Sequence, residues 1–327
     1  LAQEPDNSEA LYMAAVCYRY TQRFTQAQEA LDSLKAVPHD RGRCYQEQGH
    51  LHVAMDKLQP ALAAFANACQ LNPALLASWQ NQHKIPLQLN RPEEAAQALA
   101  QVKRLQAQPK VLVAVADLIA QGKLVKADTL CRKFLQANPT HVEAMRLLAT
   151  IAVQFGVLED AEFLLESAAE FEPENTQVKI ELVAVLRQRQ KFEQALNTAK
   201  ALYEQHPNNP QLKSLYAIEA MQMGDYERAL VLFDQILKAL PGDAITLTSR
   251  GHALKTQGDQ AQAVASYHAA IAANAWHGDA YYALSNLKTY RFSESEVADM
   301  LAIEQREELA PISQVHLAFA LGKAFED

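Results

Sequence analysis

Eight alanines, Ala27, Ala61, Ala95, Ala127, Ala161, Ala195, Ala229 and Ala263, stand thirty-four residues apart, except for one interval of thirty-two between Ala95 and Ala127. A helix repeats its faces every three to four residues and a strand every two, so neither produces a period this long. A repeated supersecondary unit does. In the second copy Ala61, Phe65 and Ala68 are spaced four and three apart and share one helix face, and Pro73 stops that helix. Tyr45, Gly49 and His52 lie on an earlier helical pattern, with a turn between Lys57 and Pro60. Each unit therefore reads as a helical hairpin. Pro73, Pro139, Pro173, Pro207 and Pro241 all follow their alanine by twelve residues, and Pro38 comes one residue early. The large residue four after each alanine is Leu31, Phe65, Leu99, Cys131, Leu165, Ala199, Phe233 or Tyr267, placed to wedge between neighbouring hairpins.

Almost half of the residues are apolar and only ten are glycine, a composition suited to helices, so the expected class is all-α with no sheet. Gly49, Ala61, Ala68 and Pro73 fill the eighth, twentieth, twenty-seventh and thirty-second places of the tetratricopeptide-repeat pattern, and the chain resembles that family over roughly residues 5–290. The resemblance implies a right-handed superhelix, an α-solenoid of about eight to nine hairpins over residues 1–290. Residues 291–327 then form capping or junction helices. Gly156, Gly224 and Gly258 fall in turns between paired helices, as do Lys191 and Phe192; Asn175, Asn209 and Asp243 fall at the starts of first helices. Pro86 lies inside the first helix of the third unit, whereas Pro92 suits a first helical turn, so a bend or loose joint is expected there. Beyond the eighth alanine a ninth first helix is expected from Gly278 to Tyr290. A capping box at Ser293 to Glu296 opens another helix through about Glu308, and a last helix begins near Pro311.

A net charge of −8 and a pI near 5.7 argue against a nucleic-acid surface. No apolar run approaches the roughly 20 residues of a membrane span, and the expected location is cytoplasmic. The chain opens on Leu1 and stops at Asp327 within a helical pattern, which reads as part of a longer protein. Cys17, Cys44, Cys69 and Cys131 have no paired spacing and read as single buried thiols. His50 and His52 point to different helix faces, so no metal site is expected. None of the phosphate-binding, nucleophile-elbow or zinc-protease motifs occurs. The expectation is a chain with no catalytic residues and no cofactor.

In tetratricopeptide repeats the second, fifth, ninth, twelfth and thirteenth positions of each first helix line a concave groove. Carried over, these are the basic residues Arg19, Arg43, Lys84, Arg146, Arg187 and Lys255 against the acidic Glu9, Glu143 and Asp279, with Tyr12, Gln46, His50, Gln80, Thr150, His252, Tyr282 and Asn286 among them. Six basic to three acidic suggests a protein or peptide partner of acidic character, the alternative being an ordinary solvated face. Ile180, Ala184, Ile218, Met221 and Ile245 hold equivalent places and suit either an apolar docking strip or packing between first helices. The family's carboxylate clamp uses Lys and Asn where this chain has Gln46 and His50.

The stretch Leu284-Ser285-Asn286-Leu287-Lys288-Thr289-Tyr290-Arg291-Phe292, followed by His316-Leu317-Ala318-Phe319-Ala320-Leu321-Gly322-Lys323-Ala324, resembles the end of the repeat region in bacterial tetratricopeptide-repeat sulfotransferases. That resemblance implies a substrate-recruiting scaffold preceding a sulfotransferase domain. The alternative is a free-standing adaptor or co-chaperone-like scaffold with no attached enzyme.

Overall fold

The computed structural model describes residues 6–37, 39–305 and 311–326, so Pro38 and the expected helix end at Glu308 lie outside the described residues. Nineteen helices and no strand are found among the described residues, which is the expected all-α class. The chain divides into two compact units, Leu1–Pro173 and Glu174–Asp327. In the first, Ser8–Tyr20 (α1) pairs with Phe24–Lys35 (α2), Arg41–Ala54 (α3) with Leu58–Leu71 (α4), and Leu76–Gln88 (α5) with Pro92–Ala107 (α6). Lys110–Ala120 (α7) then pairs with Leu124–Ala137 (α8), and Val142–Gln154 (α9) with Leu158–Phe171 (α10). In the second, Thr176–Gln188 (α11) pairs with Phe192–Gln205 (α12), Pro210–Gln222 (α13) with Tyr226–Ala239 (α14), and Ala244–Gln257 (α15) with Gln260–Ala273 (α16). Gly278–Ser285 (α17), Glu294–Glu304 (α18) and Pro311–Glu326 (α19) complete it.

Each hairpin turn contains one residue in the left-handed region, five places before the marker alanine. These are Gln22, Asp56, Asn90, Gly122, Gly156, Gln190, Gly224 and Gly258, with φ between 56° and 93°. The first helix closes on it as a Schellman motif: in the second hairpin Lys57 N–H donates to His52 O at 2.9 Å and Asp56 N–H to Val53 O at 3.0 Å. Glycine adopts this conformation without a Cβ clash, so the four non-glycine turns carry a cost that the four glycine turns do not. At the other end, Asn175, Asn209 and Asp243 cap first helices as expected, Asp243 Oδ2 accepting from Thr246 N–H at 3.0 Å. Second helices stop two residues before Pro73, Pro139, Pro173, Pro207 and Pro241, as the restricted backbone before proline requires.

All eight marker alanines are at most 1% exposed, which is what close helix approach demands of them. Packing is complementary between the eighth place of the first helix and the large residue of the second. A Cβ on Gly49 would lie 2.7 Å from the Phe65 ring, and one on Gly251 would lie 2.4 Å from Tyr267. Where the second helix offers Cys131 or Ala199, the first offers the larger Val115 or Val183, and all four are fully buried. Fixed interior volume, divided differently in each hairpin, accounts for the variation in kind at these positions. The third hairpin departs from this. Its eighth place is His83, whose Nδ1 sits 2.9 Å from Ala95 O, and Leu99 is only half buried. Pro86 does lie inside α5, but in its last turn, and the helix continues to Gln88. Proline's missing donor falls close to the end of the hydrogen-bond ladder.

The carboxy-terminal elements differ from expectation in one respect: α17 stops at Ser285 rather than Tyr290. Ser285 Oγ and Asn286 Nδ2 both donate to Tyr282 O, at 2.8 and 2.9 Å, competing with the helix for that carbonyl. Leu287 then turns inward against Leu254 and Leu284. The capping box is present, with Glu296 N–H donating to Ser293 Oγ at 3.3 Å and Ser293 N–H to Glu296 Oε2 at 2.7 Å. Helix α19 runs parallel to α17: Ser313 lies against Gly278, where a Cβ would come within 2.5 Å of its carbonyl oxygen, and Phe319 meets Tyr282.

Candidate functional site

The first helices of unit 1 bring Tyr12, Arg43, Gln46 and His50 together on α1 and α3, with Arg19 beside them. Arg19 and the buried Glu47 form a two-pronged ion pair, Nε to Oε1 at 2.5 Å and Nη2 to Oε2 at 3.2 Å. Burial raises the Glu47 carboxyl even so, with Arg19 opposing it. Burial also raises the Tyr12 hydroxyl, with Glu47 adding to it. Gln46 Nε2 donates to Ser78 Oγ at 3.0 Å, and His50 lies edge-on to Phe65 at 5.1 Å. Burial, with Arg19 nearby, lowers His50 to about 4, so the imidazole is neutral at pH 7. Arg43 reaches past one whole hairpin to Asp117 on α7, Nη2 to Oδ2 at 2.5 Å, while Asn72 Nδ2 donates to Asp117 Oδ1 at 2.7 Å. Gln80 and Lys84 are exposed on α5. On α9, Arg146 donates to Glu143 with both Nε and Nη2 at 2.8 Å, and Thr150 Oγ1 donates to Arg146 O.

In unit 2 Arg187 stands 3.2 Å from Glu219, whose side chain is wholly buried and whose oxygens accept no well-aligned hydrogen bond among the described residues. Burial raises that carboxyl as well, against Arg187. His252 shares Asp279 with His316, at 4.0 and 3.8 Å, and its Nδ1 meets Tyr267 Oη at 3.0 Å. Tyr282 stacks on His316 with ring centroids 4.9 Å apart. Asn286 ends α17, and Lys255 is exposed. Ile180, Ala184, Ile218 and Met221 are half buried on α11 and α13, and Ile245 is 63% exposed on α15. They are neither closed core nor fully solvated.

Four of the six cations counted as inward-facing therefore already face a carboxylate: Arg19 on Glu47, Arg43 on Asp117, Arg146 on Glu143 and Arg187 on Glu219. Lys84 and Lys255 have no ion-pair partner among the described residues. Three of the four acids were outside the inward positions considered from sequence. Asp117 and Glu219 each stand ten residues before their marker alanine, a place from which each meets an arginine of an earlier first helix; that shared offset is the signal that could have found them. Among the described residues no group of His, Cys, Asp and Glu is arranged to hold a metal, and no helix is long and apolar enough to cross a membrane. Cys44, Cys69 and Cys131 are buried, and burial raises their thiols to about 11, 12 and 11; Cys17 is exposed, contrary to expectation.

Residues 131–247 match the family model for the cytochrome c-type biogenesis protein H TPR domain, and residues 9–37 match that of the tetratricopeptide repeat. The solved structure of a tetratricopeptide repeat protein from Parabacteroides merdae superposes with a TM-score of 0.52 at 15% identity, covering 86% of this chain and 100% of that one. MamA gives a TM-score of 0.44 at 17% identity, covering 49% and 94%. Among curated proteins, DnaJ homolog subfamily C member 3 of Gallus gallus is 24% identical over 207 residues, 58% of this chain and 41% of its own length. The chain thus spans less than half of that relative. Spacing, hairpin geometry, the two family-model matches and the Parabacteroides merdae structure agree on a fold of tetratricopeptide repeats.

Proposed function

We propose that the chain is a scaffold that binds a protein or peptide on its first-helix faces and is not itself a catalyst. The observation that carries this is the row of part-exposed apolar side chains on α11, α13 and α15, Ile180, Ile218, Met221 and Ile245. Apolar side chains kept half in water on neighbouring helices favour docking of another apolar surface. Lys84 and Lys255 are the unpaired cations that favour acidic residues in the partner; the four paired arginines contribute less to that preference, because a ligand carboxylate would have to displace one already in place. Peptides selected against the immobilised protein should lose binding to the Ile218→Asp, Ile245→Asp double variant and keep it with Val231→Asp, an exposed apolar residue on the second helix α14. Equal loss from both would refute the assignment of the face.

A narrower reading is that the scaffold recruits substrate for a sulfotransferase. The two stretches that resemble those enzymes come together, Phe292 packing with Leu317, Ala320 and Leu321, so they behave as one structural block. In this reading a protein held on the first-helix faces is presented to the enzyme at raised effective concentration. Sulfuryl transfer to a captured peptide by the complete gene product, reduced by the Ile218→Asp, Ile245→Asp variant, supports it. Capture with no such transfer leaves the adaptor.

A further inference from the structure

Within unit 1 the turn between α7 and α8 lies against the first hairpin, Gln121 and Lys123 lining the same cleft as Glu9 and Tyr12 of α1. A cleft of about 410 Å³ opens there, lined by Glu9, Tyr12 and Met13 of α1, Leu34 of α2, Arg43 of α3 and Lys123. Its volume lies at the small end of ligand pockets, enough for two or three peptide residues, which span about 10 Å when extended. The apolar surface comes from Tyr12 and Met13, the latter 55% exposed although it is a large apolar side chain, over the buried Leu34 at the floor. The charged groups separate into two kinds. Arg43 is held by Asp117, and Asp40, also in the lining, accepts from Arg43 N–H with Oδ1 at 3.0 Å. Glu9 and Lys123, from α1 and from the α7–α8 turn, have no ion-pair partner among the described residues and carry opposite charge.

We propose that this cleft is a recognition pocket for a peptide segment in which one large apolar side chain is flanked by an acidic and a basic residue. The apolar side chain lies against Tyr12, Met13 and Leu34, the acid meets Lys123 and the base meets Glu9. Balanced rim charge selects a segment of mixed charge and rejects one of a single sign, since either like-charged pair would place one repulsion for each attraction. The proposal rests on the reading of the chain as a peptide-binding scaffold and adds which sequence it takes in unit 1.

The test is methyl NMR of the full chain labelled at methionine, with the Met13 signal identified by Met13→Leu. The probes are acetyl-Lys-Leu-Glu-amide, acetyl-Glu-Leu-Lys-amide, their Ala-centred forms, and the two like-charged peptides, acetyl-Glu-Leu-Glu-amide and acetyl-Lys-Leu-Lys-amide. One mixed-charge order should shift Met13 saturably, with at least tenfold weaker response from the like-charged peptides and loss of response with Ala. Exchange of the rim, Glu9→Lys with Lys123→Glu, should reverse which mixed order binds, with unmoved Met55 and Met145 signals showing that unit 1 keeps its fold. Equal response to like-charged peptides, an unchanged order preference after the exchange, or no saturable Met13 shift with any probe overturns the proposal. The Ile218 and Ile245 variants lie in unit 2, so failure here leaves that test standing, and failure there leaves this one.

Discussion

The second and third hairpins are neighbours in the chain and differ in how their two helices meet. In the second, Gly49 leaves room for the wholly buried ring of Phe65, and nothing larger than hydrogen fits between them. In the third, His83 fills the corresponding place, Leu99 is half exposed, and the interval to the next unit is two residues short. The weaker interior is spanned from outside: Arg43 and Asn72, both contributed by the second hairpin, fix Asp117 on the first helix of the fourth. A hairpin can thus be held by its own core or by a clasp between the units on either side of it.

The largest test of that difference is truncation. Phe65→Ala should cost about 3–5 kcal/mol, and Leu99→Ala about 1–2 kcal/mol because only part of its side chain leaves water, both read from urea midpoints. Equal costs would erase the contrast between the two cores.

Acid should act on the second hairpin next. Burial lowers His50 from near 6.5 in the unfolded chain to about 4 in the fold, so its contribution is complete above 6.5 and is lost as pH falls through that window. The loss should approach about 3 kcal/mol by pH 4, and His50→Gln should flatten that part of the stability profile. A wild-type profile of unchanged slope in the variant would assign the acid sensitivity elsewhere. His277 and Asp279, both held below their ordinary values, the first by burial and the second by its bond with His252, add losses of the same sign in unit 2.

Removing the clasp addresses the third hairpin. Asp117→Ala should cost about 1 kcal/mol, since both partners are partly exposed. Hydrogen exchange should quicken across α5 and α6 more than across α3 and α4. Uniform acceleration would mean that the third hairpin does not depend on it.

The repeat frame was legible because each marker alanine answers to a strong local demand, close backbone approach, that admits few residues. Charge pairing was not, since Arg43 and Asp117 are 74 positions apart and meet across an intervening hairpin. Turn positions were legible where glycine occupies them and hidden at Gln22 and Gln190, where tertiary packing imposes a conformation that glutamine does not signal. The smallest effect tests this. Asp56→Gly and Asn90→Gly should each stabilise by about 0.5 kcal/mol, relief of the left-handed backbone being partly offset by a more flexible unfolded chain. Destabilisation in the thermal midpoint of both would show that the side chains contribute more than the strain.

The division of interior volume between paired helices limits how such an array can be reshuffled. A first helix carrying Val183 placed opposite Phe65 would collide with the ring, and one carrying Gly49 placed opposite Ala199 would leave a hole. Helices are therefore not interchangeable parts, whereas entire hairpins are, because each brings a matched pair. Duplication, deletion or grafting that cuts in the linker between hairpins preserves every match, and a cut in the left-handed turn destroys two at once.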